Sequence, residues 1–327
     1  MTSRTGTQLL DDAKAAHYVP KFYLKGFTDA NRVLWVYEKF KAPRASKPKD
    51  EGHLPDYYSH AEDGERDDKA ERLLGKIESR AAAVLREFVG LTFVPTLKQM
   101  EHVYLFTAIM LARVPSWRRH LDKVAVSVYK DMELRIARDK ERFYEVCAEV
   151  EASVGRLMKT DYETFRQRVL NDKREFVQTS NAFNLHAMFV SARSATRGLI
   201  EYDYQILYAP KGEFFVTSDS PVFTLQPDGP RHSVMGMGLG HPRVQVYMPL
   251  NKRTCLKLKR NLRSPATTEI PTDHVAELNR LTMANATTCL YAPERSRRLA
   301  RLFDQWGCKI EPGKNAFMPT PRPPQNH

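Results

Sequence analysis

Between about residue 57 and residue 200, apolar side chains recur every three to four positions, and from Tyr202 onward they alternate with polar ones in short runs separated by Gly and Pro. The first period predicts helices and the second predicts strands. Helices are expected from Lys69 to Phe88, from Leu97 through LKQMEHVYLFTAIMLARVP, from Trp117 to about Leu157, from Asp161 to Asn171, and from Thr179 to Ile200. In the last of these, Phe183, Ala187, Val190, Ala192 and Ala195 are the apolar positions. The near-continuous apolar run from Val103 to Ala112 argues for a central helix buried on most faces. YDYQILYAP, EFFVTSD, PVFTLQ, VQVYMPL, TCLKLK and TTCLYAP read as strands of an antiparallel sheet. Two more helices interrupt or follow them: one capped by Thr272 or Asp273, and the basic ERSRRLARLFDQW.

The amino end adds one strand and one unusual turn. RVLWVYEK, residues 32–39, has the β-branched and aromatic content of a strand, and Phe40 to Asp56 reads as a surface loop. Ahead of it stands AHYVPKFYLKGF, residues 16–27. Pro20 suits the first turn of a helix, Gly26 suits its end, and Phe22, Tyr23, Leu24 and Phe27 give that turn an apolar face. The predicted fold class is therefore α+β. A mainly helical segment, residues 57–200, packs on a C-terminal antiparallel sheet, residues 202–293, which the N-terminal strand joins. One domain spans 1–311, with a lead-in over 1–14 and a Pro-rich tail over 312–327.

Composition narrows the class. A chain of 327 residues with 42% hydrophobic and 28% charged content supports a full core. Cys147, Cys255, Cys289 and Cys308 show no CxxC or CxxH spacing and read as reduced thiols of a cytoplasmic protein. No apolar run is long enough for a membrane span, and the first residues lack the apolar stretch of a signal peptide. The formal net charge of +12 favours a polyanionic partner, nucleic acid or nucleotide, although Lys and Arg interleave with acids along Arg113 to Arg142 as on a solvated helix face.

Six positions carry candidate chemistry. His17, just outside a helix N-terminus, is held neutral there and can act as base or ligand; its plain alternative is a packed, backbone-bonded histidine. Glu71 and Glu78 lie two turns apart on one helix, about 10 Å between Cα atoms, as candidate metal ligands or as surface glutamates paired with Arg or Lys. Arg113 leaves the buried helix where it can bind phosphate or, equally, Glu71, Glu78 or Asp219. Asp219, in TSDSP, is a candidate base or metal ligand, or a turn aspartate folded onto backbone N–H groups. Asn279 in mid-helix implies a tertiary hydrogen bond. Arg113 and His120 also match the loose Arg-x(4–6)-His pattern of HEPN-type ribonucleases, with Pro115 breaking the helix between them. GMGLGHP, residues 236–242, lacks the strand-then-helix setting of a phosphate cradle and reads as a loop that can cover a site.

HYVPKFYLKGF with RVLWVYEK, then ERLLGKIE, ARVP, TSDSP, MPLN and ELNRL in that order, resembles a large, mostly bacterial family, domain-of-unknown-function family 4238. The resemblance runs from about residue 16 to 293 and carries no activity with it. From the residues themselves the favoured reading is a phosphodiester- or nucleotide-cleaving hydrolase, a nuclease-type defence effector among the options. His17 would be base or ligand, Asp219 and Glu78 would hold a divalent ion or water, Arg113 would meet phosphate and Asn279 would orient, all in one cleft. The alternative is a non-catalytic nucleic-acid-binding or regulatory module in which the same residues lock sheet to helices.

Overall fold

The computed structural model describes residues 15–58, 60–62, 65–88, 93–155, 160–173, 179–225, 239–262 and 266–308. The expected lead-in over 1–14, residues 236–238 of the glycine-rich loop and the Pro-rich tail lie outside them. The chain is α+β, as the two periods predict, and divides into two compact units: residues 1–118 with 181–327, and residues 119–180.

The larger unit is built round an almost wholly buried helix, α3 (Leu97–Ala112), in which Val103, Phe106, Ala108, Ile109 and Met110 are all sealed from solvent. Its start is fixed by a capping box, with the Thr96 hydroxyl accepting from Gln99 N and the Gln99 side chain accepting from Thr96 N. It packs against α2 (Lys69–Glu87) and α7 (Asn181–Leu199). On α2 the apolar stripe of Leu74, Ile77, Ala81 and Leu85 turns inward, with Ile77 only partly buried. On α7 the buried phase is Leu185, Met188, Ala192 and Leu199, while Phe183 and Val190 are half exposed, so the inward face is rotated from the one anticipated.

The strands form two main sheets where one was expected. A five-stranded sheet has the order β12 (Thr267–Glu269), β7 (Asp203–Tyr208), β11 (Thr254–Lys259), β10 (Gln245–Asn251), β9 (Phe223–Leu225). All its pairs are antiparallel except β12 with β7, which is parallel. The N-terminal strand β2 (Leu34–Glu38) pairs with β13 (Cys289–Ala292) in a separate four-stranded sheet that also holds β3 (Arg44–Ser46) and β8 (Thr217–Ser218). The late strands thus split between the two sheets. Helix α8 (Thr272–Asn285) follows β12, and α9 (Arg297–Trp306) follows β13.

The AHYVPKFYLKGF segment is fastened to both sheets. Its one-turn helix α1 (Lys21–Leu24) buries Tyr23 and Leu24, and the Tyr23 hydroxyl donates to Pro249 O of β10 at 2.5 Å while it lies 2.7 Å from Thr217 Oγ1 of β8. Phe22 and Tyr23 also meet the Phe106 ring of α3, at centroid distances of 5.5 and 6.4 Å. Just before it, β1 (Ala15–His17) pairs antiparallel with β4 (His53–Pro55), and a hairpin, β5 (His60–Glu62) with β6 (Glu65–Asp67), leads into α2. The surface loop expected from Phe40 to Asp56 therefore contains two strands.

The smaller unit holds most of α4 (Pro115–Arg138), with α5 (Lys140–Val154) and α6 (Tyr162–Leu170). Asp139 caps α5 by accepting from Arg142 N, and Gly155 closes it in the left-handed conformation. Phe143, Tyr162 and Phe165 cluster by their rings, and Tyr162 donates to Ala137 O at 2.8 Å. No helix among the described residues is long and apolar enough to cross a membrane.

Candidate functional site

Pro20, with its preset φ, starts α1, and the chain before it is extended, so His17 falls at the end of β1 directly across from His53 in the β1–β4 pair. The two rings lie 5.3 Å apart between centroids and are tilted by 55°. The strand pair is closed by Gly52, at φ +65, whose carbonyl accepts from Val19 N at 3.0 Å. A side chain there would meet Val19 Cβ at 2.8 Å, so glycine is required by both conformation and space.

His17 Nε2 lies 3.1 Å from Lys49 O. A carbonyl only accepts, so Nε2 carries the proton and, in the neutral ring, Nδ1 is the lone-pair nitrogen. Burial lowers the imidazole pKa below its ordinary 6.5, and the neighbouring His53 and Lys21 lower it further. The bond to Lys49 O and the carboxylate of Glu78 oppose this in part. The net result is a neutral imidazole of defined tautomer.

Arg113, the residue after α3, is buried and faces protein groups on every side. Its Nε donates to Tyr58 Oη at 3.0 Å, its Nη1 to Glu78 Oε1 at 2.8 Å, and its Nη2 to the backbone carbonyl of His17. The expected phosphate contact is replaced by the structural alternative, an ion pair with Glu78. This arginine positions the His17 backbone and also borders the cleft that opens above it. The arginine of the Arg-x(4–6)-His pattern is thus bonded into this network.

Above this network opens a cleft of about 260 Å³, whose walls include His17, Lys21, Phe22, Tyr58, Arg113 and the two glutamates Glu71 and Glu78. It is smaller than a drug-sized pocket and matches one small polar group. Four of the expected residues, His17, Glu71, Glu78 and Arg113, are thus brought together from segments spread over a hundred positions. Lys21 and Tyr58 join them unannounced, and His53 touches the His17 ring beside the cleft.

Asp219 and Asn279 do not line that cleft. Asp219 is buried, and its carboxylate accepts from Thr287 N at 2.7 Å, Thr288 N at 2.8 Å, Thr288 Oγ1 at 2.7 Å and Cys289 N at 3.4 Å. Burial pushes its pKa up while these four donors pull it back. It bonds backbone N–H groups as the plain reading expected, but those of residues 287–289 rather than of its own turn, and so stitches the turn after β8 to the entry of β13. Asn279 makes the tertiary bond its mid-helix position implied, accepting from Val216 N at 3.0 Å and donating to Phe214 O at 2.8 Å. It lines a separate groove of about 560 Å³ between α8 and α9. The single five-residue cleft expected from sequence is therefore two sites and a buried turn. With Asp219 elsewhere and Glu78 paired to Arg113, the proposed ligand trio Glu71, Glu78 and Asp219 does not assemble. Among the described residues no three His, Cys, Asp or Glu side chains converge in a way that could hold a metal ion.

His53 was the residue missed. Its place opposite His17 depends on a strand pairing between two segments that carry no strand pattern of their own, three residues each.

Residues 16–296 match the family model described as Protein of unknown function (DUF4238). No curated protein and no solved structure matches the chain. The N-terminal HYVPKFYLKGF, the ARVP arginine and the TSDSP turn thus sit within a single matched span, and the chain belongs to the DUF4238 family.

Proposed function

We propose that this protein is a phosphodiester- or nucleotide-cleaving hydrolase in which His17 is the general base. The observation that carries the reading is the state of one ring: a neutral imidazole whose Nε2 is tied to Lys49 O, leaving Nδ1 to take a proton at the edge of a polar cleft. Lys21 on the same wall supplies positive charge for a phosphate oxygen, and Glu71 supplies a carboxylate that can orient water. Arg113 and Glu78 hold the His17 backbone from behind. The net charge of +12 draws polyanions toward the protein as a whole.

His17→Gln is the informative change, because the amide can still donate to Lys49 O while losing the basic nitrogen. Cleavage of oligonucleotide or nucleotide substrates is expected to fall by about 10²-fold or more, the usual contribution of a positioned base, with the melting temperature little changed. Unchanged cleavage would reject the proposal.

A second reading is supported by the saturation of Arg113 and Asp219, whose polar atoms are turned to protein partners. In it the network is a lock in a non-catalytic nucleic-acid-binding or regulatory module. That reading expects His17→Gln to lower the melting temperature sharply and no His17-dependent cleavage of any substrate.

A further inference from the structure

The turn that joins β2 to β3 carries an aromatic ring where the backbone is least suited to one. Lys41 N donates to Glu38 O at 3.2 Å, closing a four-residue turn whose third residue is Phe40. Phe40 stands at φ +60, in the left-handed region that such turns reserve for Gly or Asn. A bulky side chain there is strained. Helix α9 holds the strain in place, because Phe40 N donates to Asp304 Oδ1 at 2.7 Å. The ring buries little in return, with 79% of the residue exposed. Glycine would release the strain and forfeit no core contact, so folding alone gives no reason for phenylalanine here.

Cations flank the ring. Lys39 Nζ lies 5.3 Å from its centroid. On α9, Arg301 and Arg297 stand one and two turns before Asp304 on the same helix face, and both are exposed. They are ~6 Å apart along the axis, so each can take its own phosphate of an extended strand. Lys41 and Arg44 are engaged by Glu38 and Glu51, whereas among the described residues no carboxylate pairs with Lys39, Arg297 or Arg301. Cations alone suit any polyanion, and the ring narrows the choice. A membrane surface takes several apolar side chains side by side, but among the described residues no other large apolar side chain of β2, β3, β13 or α9 is exposed. An unpaired base offers one flat face to one ring, with a phosphate on either side for the cations. We infer that the Lys39 to Lys41 turn and the Arg297 and Arg301 face of α9 bind single-stranded nucleic acid. A base stacks on Phe40, the flanking phosphates meet Lys39, Arg301 and Arg297, and Asp304 positions the ring. None of these residues lines the His17 cleft, and the inference stands whether or not His17 is a base.

The test measures binding by the full chain, through fluorescence anisotropy, to a labelled oligothymidylate of about 15 nucleotides and to the same strand in duplex with oligoadenylate. Vesicles of phosphatidylserine and phosphatidylcholine are the third probe. Wild type is expected to bind the single strand more tightly than the duplex, whose bases are already stacked. Phe40→Gly is expected to weaken single-strand binding about tenfold or more while the melting temperature rises, and Phe40→Trp is expected to keep the affinity. Lys39→Gln combined with Arg301→Gln is expected to flatten the slope of log K against log salt by about 1.4, the share of two phosphate contacts. Equal single-strand affinity of wild type and Phe40→Gly overturns the inference. So does a fall in melting temperature that accompanies the loss of binding, which would make the ring structural, and so does Phe40-dependent binding to vesicles without binding to the oligonucleotide. No readout involves cleavage, so failure here leaves the His17 proposal to its own test.

Discussion

At the scale of single residues, the polar groups under the cleft are set by partners rather than by their own chemistry. Arg113 keeps its charge in the core because Glu78, Tyr58 and the His17 carbonyl each take one of its N–H groups. Glu78→Gln leaves that guanidinium buried without its anion and is expected to cost about 3 kcal/mol in chemical denaturation, far above a surface ion pair. Asp219 shows the complementary case. Both its oxygens face donors only, so Asp219→Asn turns an amide N–H toward a backbone N–H and is expected to cost about 1–3 kcal/mol. His17 makes stability depend on pH with a definite sign. Its titration lies below 6.5 in the fold, where Lys49 O, His53, Lys21, Glu78 and the Arg113 guanidinium surround it, and near 6.5 in the unfolded chain. Above that value both forms are neutral and nothing is lost. As pH falls through it the unfolded chain takes up the proton first, and stability declines until the native ring titrates. Melting curves between about pH 7 and pH 5 should show the wild type losing ground to His17→Gln.

At the scale of elements, legibility followed the strength of the local pattern. Helix α3 announces itself by the near-continuous apolar run from Val103 to Ala112, and α2 by its stripe of Leu74, Ile77, Ala81 and Leu85. Strands β1 and β4 announce nothing, because three-residue strands are too short to alternate, and their pairing comes from Gly52 turning the chain against Val19. The split into two sheets was equally hidden: strand propensity marks β2 and β13 as strands but does not state whether they join β7, β10 and β11. On α7 the apolar Phe183 and Val190 stay half exposed, whereas the helix buries Leu185 and Met188. Gly52→Ala tests the element that matters most here. The new methyl would sit 2.8 Å from Val19 Cβ on a backbone at φ +65. A loss of about 1–3 kcal/mol is expected, with weakened contact between the His17 and His53 rings in NMR spectra.

At the scale of the molecule, the two units differ in how much apolar surface they bury. Residues 119–180 seal only a few large side chains among those described, Val126, Phe143 and Val169, whereas the larger unit has a continuous core through α3, α7 and both sheets. Hydrogen exchange in mild denaturant should therefore strip protection from α5 and α6 before α3 and β10. The larger unit assembles the site from separate parts of the chain: β1, the Lys49 to Tyr58 stretch, Glu78 on α2 and Arg113 after α3. That assembly is what lets a histidine near the amino end keep one nitrogen tied and the other basic, and no local pattern could have shown it. Nitrogen-15 NMR of the His17 ring across a pH titration of the intact protein reads it out most directly. Protonation at Nε2 in the neutral form, with a titration midpoint below 6.5, is the expected result. A proton on Nδ1, or a midpoint at or above 6.5, would contradict it.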